Sequence, residues 1–466
     1  MPDLKALLET QRCAFAARPP RYSERIDALR KLEGAMLKRQ DDIIAAISDD
    51  FRGRAREETL ALELFPLLYE IRYACRHLKR WMAPRRVPVQ WQFWPGKARV
   101  FYEPLGVVGI LSSWNYPLYL TLAPFTGALS AGNHVLLKPS ELAPATAELM
   151  KAIVSDLYPP EYVSVIIGGP ETAADFVRLP LNYMLFTGSS RVGKLVMKAA
   201  SENLVPVTLE LGGKSPAAIH PTYPLRKAAE RILVGKLYNA GQTCVAPDYV
   251  LVPPHQRDEF VNAAQTTIAR MYPSLVNNPD YTRIVNASHY QRLVALVEDA
   301  RCRGARIIEI NPAGETCNVT NQVFPPTLVT NVRDDMAIMQ EEIFGPVLPI
   351  VDYGSVEEAV RYINERPHPL AFYYFDDDKQ RARDVVSRTV AGGATVNDCI
   401  FHAGQVTLPF GGVGPSGMGR YHGFDGFQTF SNKKSVFFQK KWSALALLRP
   451  PYSVRTRRIL NILLRK

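Results

Sequence analysis

The pattern of apolar and polar positions divides the chain into an N-terminal helical part and a longer part of alternating strands and helices. Residues 3–80 are rich in Ala, Leu, Arg and Glu, with apolar positions three or four residues apart, which predicts amphipathic helices. Pro84 and Pro88 interrupt this pattern. The alternation in VPVQWQFWP and KARVFYEPLG that follows predicts a β-hairpin.

A regular alternation of short apolar strands and helices comes next. GVVGILSS, HVLLKPS, VSVIIG, MLFTGSS and PVTLELGG predict strands, and TLAPFTGALSAG and TAELMKAIVSDL predict helices. This order is typical of βαβ units in a parallel sheet that is covered on both faces. The pattern repeats more loosely through residue 420, without a fixed period, which predicts a second α/β domain. A chain of 466 residues is also long enough for two or three domains.

Composition indicates an ordinary globular protein. With 47% hydrophobic and 22% charged residues, disorder is not the expectation. The six cysteines form no C-x-x-C pair, which disfavours a zinc site and a disulfide scaffold, so no metal is expected. The N-terminus lacks the unbroken apolar stretch of a secretory signal, and a cytoplasmic location is the expectation.

The net charge of +11 is concentrated at the C-terminal end. Residues 433–466 hold ten Lys/Arg and no Asp/Glu, and subtracting ten from eleven leaves about +1 for the rest. The body therefore lacks the basic stripe of a nucleic-acid-binding protein. The segment VRTRRILNILLRK predicts an amphipathic helix too short to span a bilayer, which takes roughly 20 apolar residues. Two interpretations stay open: docking on the body or a partner subunit, and peripheral contact with an anionic membrane.

Residues 184–200, MLFTGSSRVGKLVMKAA, predict a strand, a glycine turn and a helix. Gly188 and Gly193 bracket SSRV, and the helix N-terminus beyond them offers N–H groups and a positive dipole end to a phosphate. The pattern matches neither G-x-G-x-x-G nor the P-loop, because Leu195 follows Lys194. A plain strand-to-helix turn would look the same.

LLKPSE places Lys138 and Glu141 directly after an apolar strand. The carboxyl edge of a parallel sheet is where nucleotides bind, and these two side chains could hold ribose hydroxyls there. A surface Lys–Glu pair is the competing interpretation.

Three further polar residues lie close to predicted strands. Glu210 in LELGGKSP lies in an apolar strand, where burial would raise its pKa and suit a general base; a surface-facing glutamate is the alternative. Glu342 in MQEEIFGPVLPI lies beside an apolar strand, and it too could be either a buried carboxylate or a surface-facing one. Asn115 in SSWNYP follows a strand, and its amide could donate to an oxyanion, although a turn asparagine would look alike.

Cys244 lies among small and polar residues in YNAGQTCVAPDYV. Taken alone, it fits a small buried side chain better than a reactive thiol. The stretch PFGGVGPSGMGRYHG (409–423) holds six glycines in fifteen residues, which lets the backbone approach another surface closely.

Together, WNYP, KPSE, FTGSSRVGK, LELGGKSP, NAGQTC, EEIFGP and PFGGVGPSGMG resemble the aldehyde dehydrogenase superfamily from about residue 10 to residue 440. The short N-terminus, the YHG after the glycine loop and the basic, apolar tail are most similar to the class 3 branch, which includes bacterial coniferyl aldehyde dehydrogenases.

The resemblance implies an NAD(P)-dependent oxidation of an aldehyde to a carboxylic acid. Cys244 would be the nucleophile that forms a thiohemiacetal and then a thioester, Asn115 an oxyanion donor and Glu210 the base that activates water. It also implies a set of cofactor-binding residues, with NAD the expected cofactor and NADP a further one: Trp114, Lys138, Glu141, Gly188, Ser189, Gly193, Glu342 and Phe344.

The resemblance further implies an α/β architecture of two domains and an arm, and a homodimer. The expected NAD(P)-binding domain is Rossmann-like and consists of residues 1–85 and 105–211, and the catalytic domain consists of residues 212–424. A small β oligomerisation arm is expected at 86–104 and 425–440, followed by a basic amphipathic tail at 441–466.

Two other functions compete with hydrolytic aldehyde oxidation. An acylating enzyme would pass the acyl group to coenzyme A, and Glu210 argues against it because such an enzyme needs no water-activating base. A non-catalytic binding protein would not need Asn115, Glu210, Cys244 and Glu342 together. An aromatic or a medium- to long-chain aliphatic aldehyde is the expected substrate, with DCIFHAGQVTLPF (398–410), including Phe401 and His402, as one wall of its funnel.

Overall fold

The computed structural model describes residues 3–443 and 449–464. Residues 444–448 and 465–466 of the predicted tail, and residues 1–2, lie outside the described residues. The expected α/β class is confirmed: the described chain forms three sheets with helices packed around the two larger ones.

The N-terminal part is helical, as the apolar spacing predicts. Its longest helices, α2 and α5, pack on each other and on α6 through buried residues such as Leu29, Leu32 and Ile71. A π-helical turn at Leu60–Leu64 leads directly into α5. The helices of this part are α1 Leu4–Ala17, α2 Tyr22–Lys38, α3 Gln40–Asp50, α4 Arg56–Thr59 and α5 Phe65–Trp81.

The first large sheet has six strands in the order β15-β7-β6-β3-β4-β5, all parallel except β15. The predicted strands are present, although VSVIIG contributes only three residues. Leu111 is level with Lys138, and Thr187 is level with Glu210, so polar residues meet at the carboxyl edge of this sheet. The strands are β3 Val107–Leu111, β4 His134–Lys138, β5 Val163–Val165, β6 Tyr183–Thr187, β7 Val207–Glu210 and β15 Gly417–Met418, and their helices are α6 Tyr119–Ala131, α7 Pro144–Leu157, α8 Pro170–Phe176 and α9 Ser190–Ser201.

The second large sheet has seven strands in the order β10-β11-β12-β9-β8-β13-β14, parallel except for β10. Its strands are β8 Pro216–Ile219, β9 Tyr249–Val252, β10 Arg306–Glu309, β11 Thr327–Thr330, β12 Val347–Asp352, β13 Ala371–Phe375 and β14 Gly393–Val396. Its helices are α10 Leu225–Leu237, α11 Arg257–Met271, α12 Ala287–Cys302, α13 Ala337–Gln340, α14 Val356–Asn364, α15 Lys379–Arg388 and α16 Phe401–Gly404. Cys244 lies between α10 and β9, in the loop that leads back into this sheet.

The third sheet is the predicted hairpin with one added strand. β1 Arg85–Val87 pairs antiparallel with β2 Lys97–Pro104, which pairs along its length with β16 Ser431–Phe438. β16 lies within the segment 425–440 that was expected to belong to the arm, and α17 Gly423–Thr429 comes directly before it. α17 packs against α6, where Gly127 and Gly426 let the two backbones approach closely.

The predicted C-terminal helix is confirmed as α18 Val454–Leu464. Its apolar residues Ile462 and Leu464 are exposed. Within the described residues, no helix is long and apolar enough to cross a membrane.

Candidate active site

The loop that presents Cys244 has a strained backbone. Asn239, Ala240 and Gly241 are consecutive residues with positive φ, at 53°, 50° and 76°. Such a run is costly for non-glycine residues and persists where surrounding contacts hold it. Here Asn239 donates to the carbonyl of Gln242 at 3.1 Å, and the Gln242 amide donates back to the Asn239 carbonyl at 3.0 Å.

Asn115 lies beside this loop. It is 2% exposed, so it is not a surface turn residue. One N–H of its Nδ2 donates to the Gln242 carbonyl at 3.1 Å, and its own carbonyl accepts from Asn239 at 2.9 Å. Tyr116, the next residue, shares a hydrogen bond of 2.7 Å with Thr243. The structure thus brings Asn115 and the Cys244 loop together.

Glu210 ends β7 and is 2% exposed, which excludes the surface-facing alternative. A Cβ on Gly411 would lie only 2.9 Å from Oε1 of Glu210. Gly417, which lies in β15 of the same glycine-rich loop, pairs with Glu210 of β7. Neither carboxylate oxygen has a hydrogen-bond partner among the described residues. Burial raises the pKa of Glu210 well above its usual value, with the charge of Arg420 acting in the opposite direction.

Cys244 is half-buried, and its surroundings favour the neutral thiol. Burial, together with the charges of Glu342 and Glu210, raises the pKa of the Cys244 thiol to about 12. Both predicted carboxylates therefore lie near enough to the thiol for their charge to act on it. At neutral pH the thiol is protonated unless a base or a positive charge approaches it.

A pocket of about 1120 Å³ includes Cys244 in its wall. Phe401 and His402 line this pocket, as expected. The Phe401 side chain is exposed. The His402 ring is more buried, and burial lowers its pKa to about 4. The wall is mostly apolar and includes residues with no sequence signal for it: Leu60, Ala61, Leu62, Phe65, Tyr119, Tyr238 and His422. The apolar spacing of the N-terminal helices predicts burial of one helix face. It does not predict that the π-helical turn Leu60–Leu64 lines a pocket.

Lys138 ends β4 and is 2% exposed, so the alternative of a surface Lys–Glu pair is wrong for the lysine. Its Nζ donates to the Pro139 carbonyl at 2.9 Å and lies 3.3 Å from Oε2 of Glu141, whose side chain is 40% exposed. Burial lowers the pKa of Lys138, and Glu141 acts in the opposite direction.

The predicted turn lies between β6 and α9. The N–H of Gly188 donates to the Glu210 carbonyl at 3.0 Å and is not free for a phosphate. Ser189 caps α9, its Oγ accepting from the Val192 N–H at 3.4 Å. Gly193 packs the helix against the β7 side, where a Cβ would lie 2.7 Å from Leu211. In the described chain, the amide groups at 190 and 191 have no acceptor, and these remain available to an anion.

Glu342 lies against the glycine pair after β7, and a Cβ on Gly212 would overlap its carboxylate. Burial raises the pKa of Glu342 to about 8, with Asp248 contributing. Arg292, which sequence reasoning missed, donates to the carbonyls of Glu342 and Ile343 and fixes this segment.

Trp114 and Phe344, the remaining predicted residues, contact each other edge to face with ring centroids 5.4 Å apart. Phe344 has a positive φ of 50°, so its position is held by the surrounding structure. His289, which carries no sequence signal, packs on the Trp114 ring at 4.9 Å. In the parts of the chain that the structure describes, no group of three or more His, Cys, Asp or Glu side chains could hold a metal ion.

The family model described as the aldehyde dehydrogenase family matches residues 5–436. The chain belongs to the aldehyde dehydrogenase family. The expected class 3 affinity is supported by aldehyde dehydrogenase family 3 member A2 of Rattus norvegicus, which is 39% identical over 441 residues, 94% of this chain and 88% of the relative. A Pseudomonas aeruginosa protein named “Probable coniferyl aldehyde dehydrogenase” is 47% identical over 451 residues, 97% of this chain and 94% of the relative.

Two solved structures of aldehyde dehydrogenases extend the match to the fold. The substrate-bound state of Staphylococcus aureus AldH has a TM-score of 0.93 and 39% identity, covering 99% of this chain and 100% of the other. The NAD⁺ complex of the aldehyde dehydrogenase from Bacillus cereus has a TM-score of 0.85 and 27% identity, covering 94% of this chain and 89% of the other. The chain is therefore an oxidoreductase that acts on an aldehyde, and the aldehyde dehydrogenase architecture expected from its motifs is confirmed.

Proposed function

We propose that the protein oxidises a bulky aldehyde to its carboxylic acid, with NAD as the preferred cofactor, through a covalent intermediate on Cys244. The observation that carries this proposal is a thiol in the wall of a large apolar pocket, with the Asn115 amide bound to the same loop. The charge of Glu210, a buried carboxyl without a partner among the described residues, also acts on that thiol. Each group alone has a structural explanation. Together they supply a nucleophile, an oxyanion donor and a base.

The reaction begins with the Cys244 thiol. Transfer of its proton to a water molecule gives a thiolate, which adds to the aldehyde carbon and forms a carbon–sulfur bond. The carbonyl oxygen becomes an oxyanion. Among the described residues, the Asn115 amide donates to the Gln242 carbonyl alone, which leaves its second N–H to donate to this oxyanion. Departure of hydride from the same carbon then leaves a thioester on Sγ.

Glu210 completes the cycle as a general base. It accepts a proton from water, the resulting hydroxide adds to the thioester, and the carbon–sulfur bond breaks to release the carboxylic acid. Its unpartnered oxygens are available to that water, and its raised pKa makes it a stronger base than an exposed glutamate. This role supports hydrolysis over transfer to coenzyme A.

The carboxyl edge of the first sheet fits a nicotinamide dinucleotide. The buried Lys138 ammonium has three N–H donors, and Pro139 and Glu141 account for two of them, which leaves one for a ribose hydroxyl. The start of α9 offers free amides to the pyrophosphate, with Ser189 and the two glycines shaping the turn. Glu342, Phe344 and Trp114 would hold the nicotinamide end. When bound, the nicotinamide supplies the hydride acceptor. NADP is the second cofactor we propose.

The substrate we infer is an aromatic aldehyde of the coniferyl type or a medium- to long-chain aliphatic one. The pocket volume of about 1120 Å³ and its apolar wall suit a large hydrophobic substrate. The name of the Pseudomonas aeruginosa relative favours the aromatic class.

We further propose the division into units given by the motifs. The NAD(P)-binding domain is 1–85 with 105–211, the catalytic domain 212–424, the arm 86–104 with 425–440, and the tail 441–466.

We also propose a homodimer built through the three-stranded arm. The exposed aromatic residues of the arm support this proposal: Trp91, Phe93, Trp94, Phe437 and Phe438. We propose that the tail helix docks on a protein surface. Lipid co-sedimentation of the full chain tests the alternative, which is peripheral contact with an anionic membrane.

The test is a reduction assay with NAD and NADP across cinnamyl, benzylic and aliphatic aldehydes, with the products identified. We expect NADH formation, a carboxylic acid as product, and no activity from Cys244→Ala. Accumulation of an acyl-CoA thioester when coenzyme A is added would instead establish the acylating reaction. Full activity of Cys244→Ala would overturn the proposal.

A further inference from the structure

A buried ionic cluster lies next to the two loops of the active site. Arg54, which follows α3, has a fully buried side chain. Its Nη1 donates to Oε1 of Glu63 at 2.7 Å, and its Nε lies 3.9 Å from Oε2 of Glu58. We name Arg54, Glu58 and Glu63 the Arg54 cluster.

One side of the cluster holds the loop of Asn115. Arg54 Nη1 also donates to the Asn115 carbonyl at 3.3 Å. Glu63 accepts from the backbone N–H groups of Leu118 and Tyr119 at 2.8 and 3.1 Å. The Arg54–Glu63 pair thus binds the backbone at both ends of the segment 115–119.

The other side of the cluster holds the loop of Cys244. Both oxygens of Glu58 accept from the backbone N–H of Asn239 at 3.2 Å, and the Thr282 hydroxyl donates to Glu58 at 2.7 Å. Asn239 begins the run of positive φ that precedes Cys244. The Arg54 guanidinium also lies over the ring of Tyr116, 4.8 Å from its centroid, and this residue is bonded to Thr243.

Stability alone does not account for this arrangement. A buried ion pair often contributes no more to stability than apolar residues of the same volume. In this cluster, both carboxylates accept main-chain N–H groups from the two loops that carry the proposed nucleophile and oxyanion donor. Burial raises the pKa of Glu58 and of Glu63, and the charge of Arg54 acts in the opposite direction on both.

We propose that Arg54 is a positioning residue, which sets the Asn115 amide against Cys244. It donates to Glu63 and the Asn115 carbonyl on one side, and on the other its charge lies 3.9 Å from Glu58. This inference rests on the proposed roles of Cys244 and Asn115. Arg54, Glu58 and Glu63 do not line the pocket of Cys244, so the cluster acts through the two backbones.

The test compares Arg54→Lys with the wild type in the full-length enzyme. Lysine keeps the charge but has a single nitrogen, so it cannot bind Glu63 and the Asn115 carbonyl with one nitrogen while a second faces Glu58. Because a misplacement of about 1 Å can lower a rate about 100-fold, we expect a fall in kcat of about that size with KM for the aldehyde near the wild-type value. Alkylation of Cys244 by iodoacetamide forms no oxyanion, so its rate is expected to stay unchanged.

Arg25→Lys is the matched control. Arg25 is also a buried arginine, and it donates to the carbonyls of Pro20 and Ser130, outside both loops. We expect this variant to lower the melting temperature while leaving kcat per folded enzyme unchanged. In Arg54→Ala, guanidinium ion at millimolar concentration is expected to restore part of kcat, and urea at the same concentration is not.

The outcomes separate this inference from the proposed function. A wild type without activity on any aldehyde would overturn the proposed function. With an active wild type, an unchanged kcat in Arg54→Lys, or equal losses per folded enzyme in Arg54→Lys and Arg25→Lys, would overturn the positioning role. Failure of guanidinium to restore a folded but inactive Arg54→Ala would overturn it as well. If Arg54→Ala does not fold, the lysine variant decides.

Discussion

Two glutamates act on the thiol of Cys244, and their contacts separate their roles. The backbone of Glu342 is fixed by Arg292, and its carboxylate packs against Gly212. In the described part of the chain, the oxygens of Glu210 have no partner. A held carboxylate suits the binding of a ribose, and a free one suits the activation of water.

Glu210→Gln is therefore expected to stop turnover after hydride transfer. Glutamine keeps the shape but cannot accept the proton, and loss of a general base costs about 10²- to 10⁴-fold. Rapid mixing should show about one NADH per active site followed by almost no steady rate, and mass spectrometry should find the acyl group on Cys244. Cys244→Ala, the control, should show neither burst nor adduct. Steady turnover at the wild-type rate would contradict this role.

The pH dependence of Cys244 alkylation tests the charge of Glu342. The pKa of Glu342 is raised to about 8, so its negative charge is present above that pH and opposes formation of the thiolate. We expect Glu342→Gln and the wild type to react equally with iodoacetamide near pH 7, and the variant to react faster above pH 8. Because the pKa of Cys244 is about 12, both rates should still rise at the highest pH tested. A slower variant above pH 8 would contradict this electrostatic coupling.

At the scale of elements, the contact between α9 and the end of β7 links the proposed phosphate site to Glu210. Gly188 donates to the Glu210 carbonyl, and Gly193 leaves room for Leu211. A side chain at residue 193 would require either the Leu211 side chain or the helix to shift. The spacing of this turn therefore affects both the cofactor edge and the base.

Gly193→Ala is expected to lower the free energy of unfolding by about 1–3 kcal/mol and to raise KM for NAD, because the new Cβ would lie 2.7 Å from Leu211. Gly34→Ala is the matched control: Gly34 lies in α2, where an added Cβ would have no atom within 4 Å, and alanine there should stabilise by about 0.5–1 kcal/mol. Thermal melts at equal protein concentration and NAD titrations measure both. A lower melting temperature in both variants would contradict the packing explanation.

Local pattern predicted the strands and helices well where burial is uniform. β3, β4, β6 and β7 are continuous apolar runs and lie where expected. α17 was missed because the glycines of GFDGFQT disfavour a helix, and packing against α6 overrides that preference. The Arg54 cluster and Arg292 were missed because their importance comes from partners far away in the chain, such as Asn239 for Glu58.

At the scale of the whole molecule, the arm is the part least explained by a single chain. β16 pairs with β2 on one side, and within the described residues its other edge is unpaired. Unpaired edges with exposed apolar side chains invite association, and natural proteins usually cover them. Phe437 and Phe438 are each almost half exposed near the end of this strand. A second copy of the chain is the partner that we propose for this edge.

Replacement of Phe437 and Phe438 by glutamate is expected to convert the dimer to a monomer. Light scattering should give twice the chain mass of 52.2 kDa for the wild type and close to the chain mass for the variant. Val294→Glu is the control, because Val294 is a comparably exposed apolar residue on α12, away from the arm. The glutamates at 437 and 438 would lose their water on pairing of the strand edge, and this cost opposes association. A glutamate at 294, on a free helix surface, keeps its water and has no such effect. A monomeric wild type, or a glutamate variant that keeps the wild-type mass, would show that this edge is not the interface.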